Sequence, residues 1–296
     1  PNDLNADGTV WEDLGDPFLI RGTALSVTLE GNGNPVSADA IRLERVGAWV
    51  PPVGVKTPEF GIEESHWMYA QSGKTFDYGN GPEAYRMGAD GPYTHYVDIS
   101  HPGATDTNNP FGTPDKPRRS IPSWLAAGSV VEIHGGSYQN SNASGRTQLA
   151  GVGTKAKPIF IRGADNDDMP RINGMTTFGH YAEARWMIVE NMDFANVEVR
   201  GLNDHIGFRH NNISQGGTGL RMSGDTSGER IEDMVIYNNT IHDNGSWQSS
   251  TPNDVHGITV NRYIDSVWAV DNHNYHNGGD SIQVNCRGSY QTTNIY

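Results

Sequence analysis

The chain has 296 residues, of which 36 are Gly, 16 are Pro and 35% are hydrophobic; its mean hydropathy is -0.59. This composition suits many short strands joined by turns, and no apolar run approaches the roughly 18 residues of a membrane span. The formal net charge of -14 argues against nucleic acid or an anionic membrane as partner, and would repel an acidic polysaccharide at long range unless Ca2+ or a basic patch intervened.

Residues 9–46 hold three alternating apolar segments, FLIRG, ALSVTLE and ADAIRLERV, separated by Gly, Asn and Pro turns. Alternation at Leu25, Val27 and Leu29, and again at Ile41 and Leu43, predicts antiparallel strands of a sandwich. The run W-x-D-L-G, T-A-L-S-V-T-L, S-A-D-A-I-R-L-E-R-V resembles the end of a golvesin or xanthan-lyase type accessory domain. Residues 1–47 are therefore expected to be a partial antiparallel β-sandwich. The resemblance implies a carbohydrate setting and supplies no catalytic residue. Residues 48–92 lose any sustained period but keep Trp67, Tyr69, Phe76, Tyr78 and Tyr85, which predicts an ordered linker or a lid packed on its neighbour.

From Tyr93 the text reads YTHYVDIS, then GTPDKPRRSI, then SVVEIHGGSY. A strand over 95–99, a short helical stretch around 123–127 and a second strand are expected. This arrangement resembles the opening of extracellular right-handed parallel β-helix proteins of the pectin lyase-like, polysaccharide lyase-like superfamily, and residues 93–296 are assigned to that all-β solenoid.

Past Lys157 the segments VENMDFAN (189–196), FRHNNISQGG (208–217), IYNNTIHDNG (236–245) and VDNHNYHNGG (270–279) share one template. A second strand follows three of them: 219–224, 257–262 and 281–286. Each unit buries only one short apolar stripe and needs stacked neighbours to complete a core. Leu220/Met222, Ile258/Val260 and Ile282/Val284 should point inward, leaving Arg221, Thr259 and Gln283 outward. Asn212, Thr240 and Asn274 are expected in one column, and Ser214, His242 and His276 in another, with interior Asn at turns satisfying the backbone. On this reading His273 and His276 are rungs of a repeat, and a strand sends them to opposite faces.

The β-helix resemblance implies a sugar chain lying along an outer sheet. A lyase needs a base and a group that neutralises a uronate carboxylate, whereas a hydrolase needs two carboxyls. All five lysines lie at or before Lys157, so a lysine base is excluded for the later coils. Arg221, His256 and Asp280 are the expected catalytic set, with Gln283, Thr259, Trp247 and Arg209 as substrate-binding residues. Asp254 and Asp280 are candidate Ca2+ ligands, as is the run Asp165, Asn166, Asp167, Asp168; no organic cofactor is expected. Polysaccharide is the expected partner, without nucleic acid or membrane insertion, and a secreted or cell-surface location follows from the resemblance. The chain lacks an initial Met and stops while a strand pattern is still running, so it reads as an excerpt of a longer protein. The single cysteine, Cys286, rules out an internal disulfide framework. The competing expectation is a non-catalytic surface, adhesion or filament-forming β-helix that binds glycans or self-associates through its ends.

Overall fold

The structure is a computed structural model. It describes Pro58, 60–62, 93–139, 145–164, 169–180, 182–249, 253–285 and 292–296 in full, and the backbone of four short strands before them. The chain forms two compact units, Pro1–Thr57 and Pro58–Tyr296. In the first, Asp3–Ala6 pairs antiparallel with Thr9–Glu12; the three segments expected to form the sandwich lie outside the described residues. In the second, Phe76–Asp77 and Pro82–Glu83 form an antiparallel pair, and a parallel β-solenoid occupies the remainder. Among the described residues no helix is long and apolar enough to cross a membrane.

Each full coil carries up to three strand segments. The first stack comprises His95–Asp98, Val130–His134, Ile159–Gly163, Ala184–Glu190, Asn203–Arg209, Ile231–Tyr237, Ile264–Val270 and Thr292–Ile295, all parallel and in register. The second includes Asn212–Ser214, Thr240–His242 and His273–Tyr275. The third includes Leu220–Ser223, Ile258–Val260 and Ile282–Val284. In two earlier coils, Arg171–Gly179 and Asp193–Arg200 run through the second and third stacks as single strands. Trp124–Ala126, expected as helix, is also a strand, pairing with 150–152. Its burial alternates out–in–out around Leu125, a period of two that a helix cannot provide.

Alternation fills the solenoid with columns of one residue class. Val189, Phe208 and Ile236 stack inward from the first stack; Val197, Leu220 and Ile258 stack inward from the third. All six are completely buried. Corners turn on residues with positive φ, including His210, Asn238 and Asp271 after the first stack and Gln215, Asp243 and His276 after the second. Apart from Gln215, these are the types that tolerate left-handed backbone best.

Interior asparagines close the corners. Asn211 N–H donates to Asn239 Oδ1, and Asn239 N–H to Asn272 Oδ1, both at 3.0 Å. Their amide groups donate in turn to Val189 O (2.9 Å), Phe208 O (2.9 Å) and Ile236 O (2.7 Å). Asn244 and Asn277 repeat the device one corner on. The expected columns are therefore corrected: the laddering residues are Asn211, Asn239 and Asn272. In the last coil the register is one residue off the expectation. His273 pairs with Thr240, Asn274 with Ile241 and Tyr275 with His242, so Asn274 occupies the apolar interior column and His276 a corner beside Asp243.

The outer face of the first stack is also covered. Val130, Phe160, Ile188, Gly207, Val235 and Trp268 form an outward column, over which Phe60 is fully buried. A Cβ on Gly207 would lie 3.2 Å from the Gly61 Cα, so glycine is what lets residues 60–61 approach the sheet. Of the expected lid, 60–62 is described here and lies on this face.

Asn239→Ala should cost about 2 kcal/mol or more, since several buried backbone groups lose their partners together; urea unfolding measures it. A second prediction concerns pH. Burial, then the charge of Arg118, lowers His95 from 6.5 to about 4. The unfolded chain then takes up this proton more readily, so the stabilisation is complete above pH 6.5 and lost as pH falls towards 4. His95→Gln should flatten the stability profile across that window relative to wild type.

Candidate functional site

The outer side of the third stack carries one continuous column: Gln148, Thr177, Glu198, Arg221, Thr259 and Gln283. Period-two alternation produces it; at the last of these strands the flanking Ile282 and Val284, expected to be inward, are 45% and 50% exposed. Two adjoining depressions of about 280 and 340 Å³ lie along this face, and Arg221 and Asn261 line both. The first is also lined by Asp254, His256, Thr259 and Gln283. Glu198, Arg200, Ser223, Arg262 and Asn285 complete the second.

At the first depression the turn 253–257 and the Gly-Gly turn before Asp280 bring their side chains together. The His256 side chain is 7% exposed, with Asp254 Oδ1 3.6 Å from Nε2 and Asp280 Oδ2 3.7 Å from Nδ1. The backbone N–H of Asp280 donates to His256 Nδ1 at 2.9 Å. An amide can only donate, so Nδ1 is an acceptor here and the ring proton sits on Nε2, facing Asp254. The two carboxylates are 87% and 70% exposed and face solvent.

At the second depression Glu198 is a fully buried carboxylate. It accepts from Arg146 Nη1 at 2.7 Å and from Arg221 Nη2. Burial by itself pushes Glu198 up; the hydrogen bond from Arg221 and the charges of Arg221, Arg146 and Arg200 together outweigh it and hold the carboxyl below its ordinary value. Arg200 Nε donates to Asp225 Oδ1 at 2.8 Å. His180 is lowered, chiefly by burial and next by Arg200.

The expected residues divide clearly. Arg221, His256, Thr259 and Gln283 line one depression, with Asp280 against His256. Arg209 is a correction: its side chain is 3% exposed on the first stack, bound to Glu190 Oε2 at 2.8 Å. It ends a buried column of alternating sign, Glu132, Arg162, Glu190 and Arg209, and its Nη1 donates to Ile62 O at 3.4 Å. Trp247 lies off both depressions; it stacks on His276 with ring centroids 3.9 Å apart. Asp165–Asp168 fall outside the described residues. Glu198, Arg146, Arg200 and Arg262 were not anticipated. The signal for Glu198 and Arg200 was the alternation in NVEVR, obscured because no turn separates that segment from 193–194.

Compared with protein-family models, curated proteins and solved structures, the chain matches none of them.

Glu198→Gln keeps the shape but removes the charge that two guanidinium groups share. It should cost about 1–3 kcal/mol at neutral pH, discounted because both arginines are partly exposed. Since the folded carboxyl is depressed, its stabilisation is present above about 4.5 and lost as pH falls through the folded value. Urea unfolding of variant and wild type should therefore converge in acid.

Proposed function

We propose that the chain belongs to a secreted or cell-surface carbohydrate-active protein that cleaves an acidic polysaccharide by β-elimination on the outer face of its third stack. The reading rests on one observation: a cation, a histidine and exposed carboxylates from separate coils converge on one depression. The pectin lyase-like affinity of the solenoid and the golvesin-like character of residues 1–47 belong to this proposal, and both point to carbohydrate.

The chemistry assigns a role to each group. Arg221, held in place by Glu198, neutralises the uronate carboxylate and so makes the adjacent C–H more acidic. An arginine side chain stays cationic in proteins, which leaves it unsuited to be the base. Asp280 takes the proton from that carbon, the C–H electron pair forms the C=C bond as the C–O bond to the leaving sugar breaks, and His256 Nε2–H protonates the leaving oxygen. Thr259 and Gln283 bind sugar hydroxyls beside Arg221. Asp254 and Asp280 are also the oxygens that would hold Ca2+; a hard cation fits two exposed carboxylates and would offset the charge between them and an anionic chain.

The test is incubation with alginate, pectate and glycosaminoglycans, following ultraviolet absorbance of the unsaturated product and, on neutral glycans, new reducing ends. Arg221→Ala and Asp280→Asn should lower the rate by about 100-fold or more, the scale of a lost charge-stabilising or proton-transfer group. His256→Ala should lower it clearly. If Asp280 acts as the base, excess Ca2+ leaves Asp280→Asn inactive; recovery with Ca2+ would make it a metal ligand. No product from any substrate sinks the enzymatic reading, and glycan binding without turnover would favour a non-catalytic β-helix.

A further inference from the structure

Away from the groove, the last five strands of the first stack each bend at one residue of positive φ, in aligned positions: Trp186, His205, Asp233, Ser266 and Asn294. The bends bring Asp204, His205 and Asp233 together, with potential ligand atoms of all three within 4.8 Å of one another. We propose that this cluster is a divalent transition-metal site, of the Zn2+ class, in which His205 Nε2 and Asp233 are ligands and Asp204 holds the imidazole from behind.

The imidazole is fixed on three sides. Its ring lies flat on Trp186, with centroids 3.8 Å apart and planes 17° apart, and Phe60 closes over it at 5.1 Å. Asp204 Oδ1 accepts a hydrogen bond from Nδ1, because a carboxylate can only accept. That contact places the ring proton on Nδ1 and leaves the Nε2 lone pair directed towards Asp233. A carboxylate behind a metal-bound histidine is the arrangement that sets ligand orientation and basicity at zinc sites.

The spacing suits an ion better than a direct contact. Asp233 Oδ2 lies 3.6 Å from Nε2, too far for a hydrogen bond. Metal bonds of about 2.0–2.1 Å place two ligand atoms of a tetrahedral ion about 3.4 Å apart. The surroundings also call for a cation, because Asp204, Glu232 and Asp265 follow one another in register on consecutive coils. Like charges at such spacing repel. Asp265 is compensated by donors from Thr293 and Asn294, each at 2.7 Å, and Arg185 precedes Asp204 in the same register; an ion at His205 would add positive charge next to Glu232 in the middle of the run. Nitrogen ligation selects Zn2+ over Ca2+, and the moderate exposure of all three side chains, 13–29%, leaves water to complete the shell.

The experiment is calorimetric titration of EDTA-treated, dialysed full chain with Zn2+, and with Ca2+ in parallel. One equivalent of Zn2+ should bind at this site, with Ca2+ unable to compete for it. Asp233→Asn should weaken that equivalent at least tenfold while circular dichroism stays unchanged, and Asp204→Asn should weaken it by about 10–100-fold. Asp254→Asn, on the groove, should leave it intact. Co2+ should quench Trp186 emission in wild type, and the quenching should vanish in Trp186→Phe. If Asp233→Asn unfolds, Asp204→Asn and the quenching decide. No Zn2+ binding by wild type, or binding unchanged in both aspartate variants, overturns the proposal.

Discussion

Everything in the solenoid depends on keeping parallel strands in register through sharp corners. A corner takes the backbone out of its ladder, and each buried N–H and C=O left there needs a partner. Asn211, Asn239 and Asn272 supply it: one side chain accepts from the coil before and donates to the carbonyls beside it. The amide suits this role because its acceptor oxygen and its two-donor nitrogen are separate atoms pointing to different coils. The ladder also sets the register, because a one-residue slip would move every asparagine out of reach of its neighbour and turn every apolar side chain outward.

Fixed register makes each column a single chemical environment repeated at strand spacing, so charge must be managed column by column. On the first stack the solution is alternation: Glu132, Arg162, Glu190 and Arg209 succeed one another and are all buried. Burial by itself pushes Glu190 up, and Arg209 and then Arg162 outweigh it. Breaking such a set by removing one member costs far more than the intact pairs contribute, which makes that column structural. Its neighbour, apolar from Val130 to Trp268, is sealed by Phe60.

Much of this was legible in the sequence. The template at 208–217, 236–245 and 270–279 predicted the parallel solenoid, and alternation in GLRMSG and GITVNR correctly sent Arg221 and Thr259 outward. The last coil was misaligned because two histidines, His242 and His276, look equivalent; the equivalence that matters is between left-handed corners, Asp243 and His276, and φ has no single-letter signature. Glu198 was missed for a different reason. Nothing local marks it as the partner of Arg146, 52 residues earlier; only stacking the coils does. Arg209 was misplaced because an outward arginine on a strand reads the same whether the face is open or covered, and what covers it, Ile62 O, lies 147 residues away.

The two outer faces carry their charge differently. On the first, two acids and two arginines alternate and cancel. On the third, Arg146, Arg200, Arg221 and Arg262 stand with Glu198 and Asp225, four cations to two carboxylates, in a chain whose formal net charge is -14. This arginine-rich patch also helps hold neighbouring coils together through Glu198. It concentrates the attraction for an anion at one end of the groove, while Asp254 and Asp280 keep the other end negative around His256. On the proposed function, a long acidic chain laid across this face would be anchored through Arg221 and presented to the carboxylates one coil on. On the same reading, that polarity along the groove would favour a polymer with a carboxylate to anchor and a neutral or cation-bridged stretch beside it.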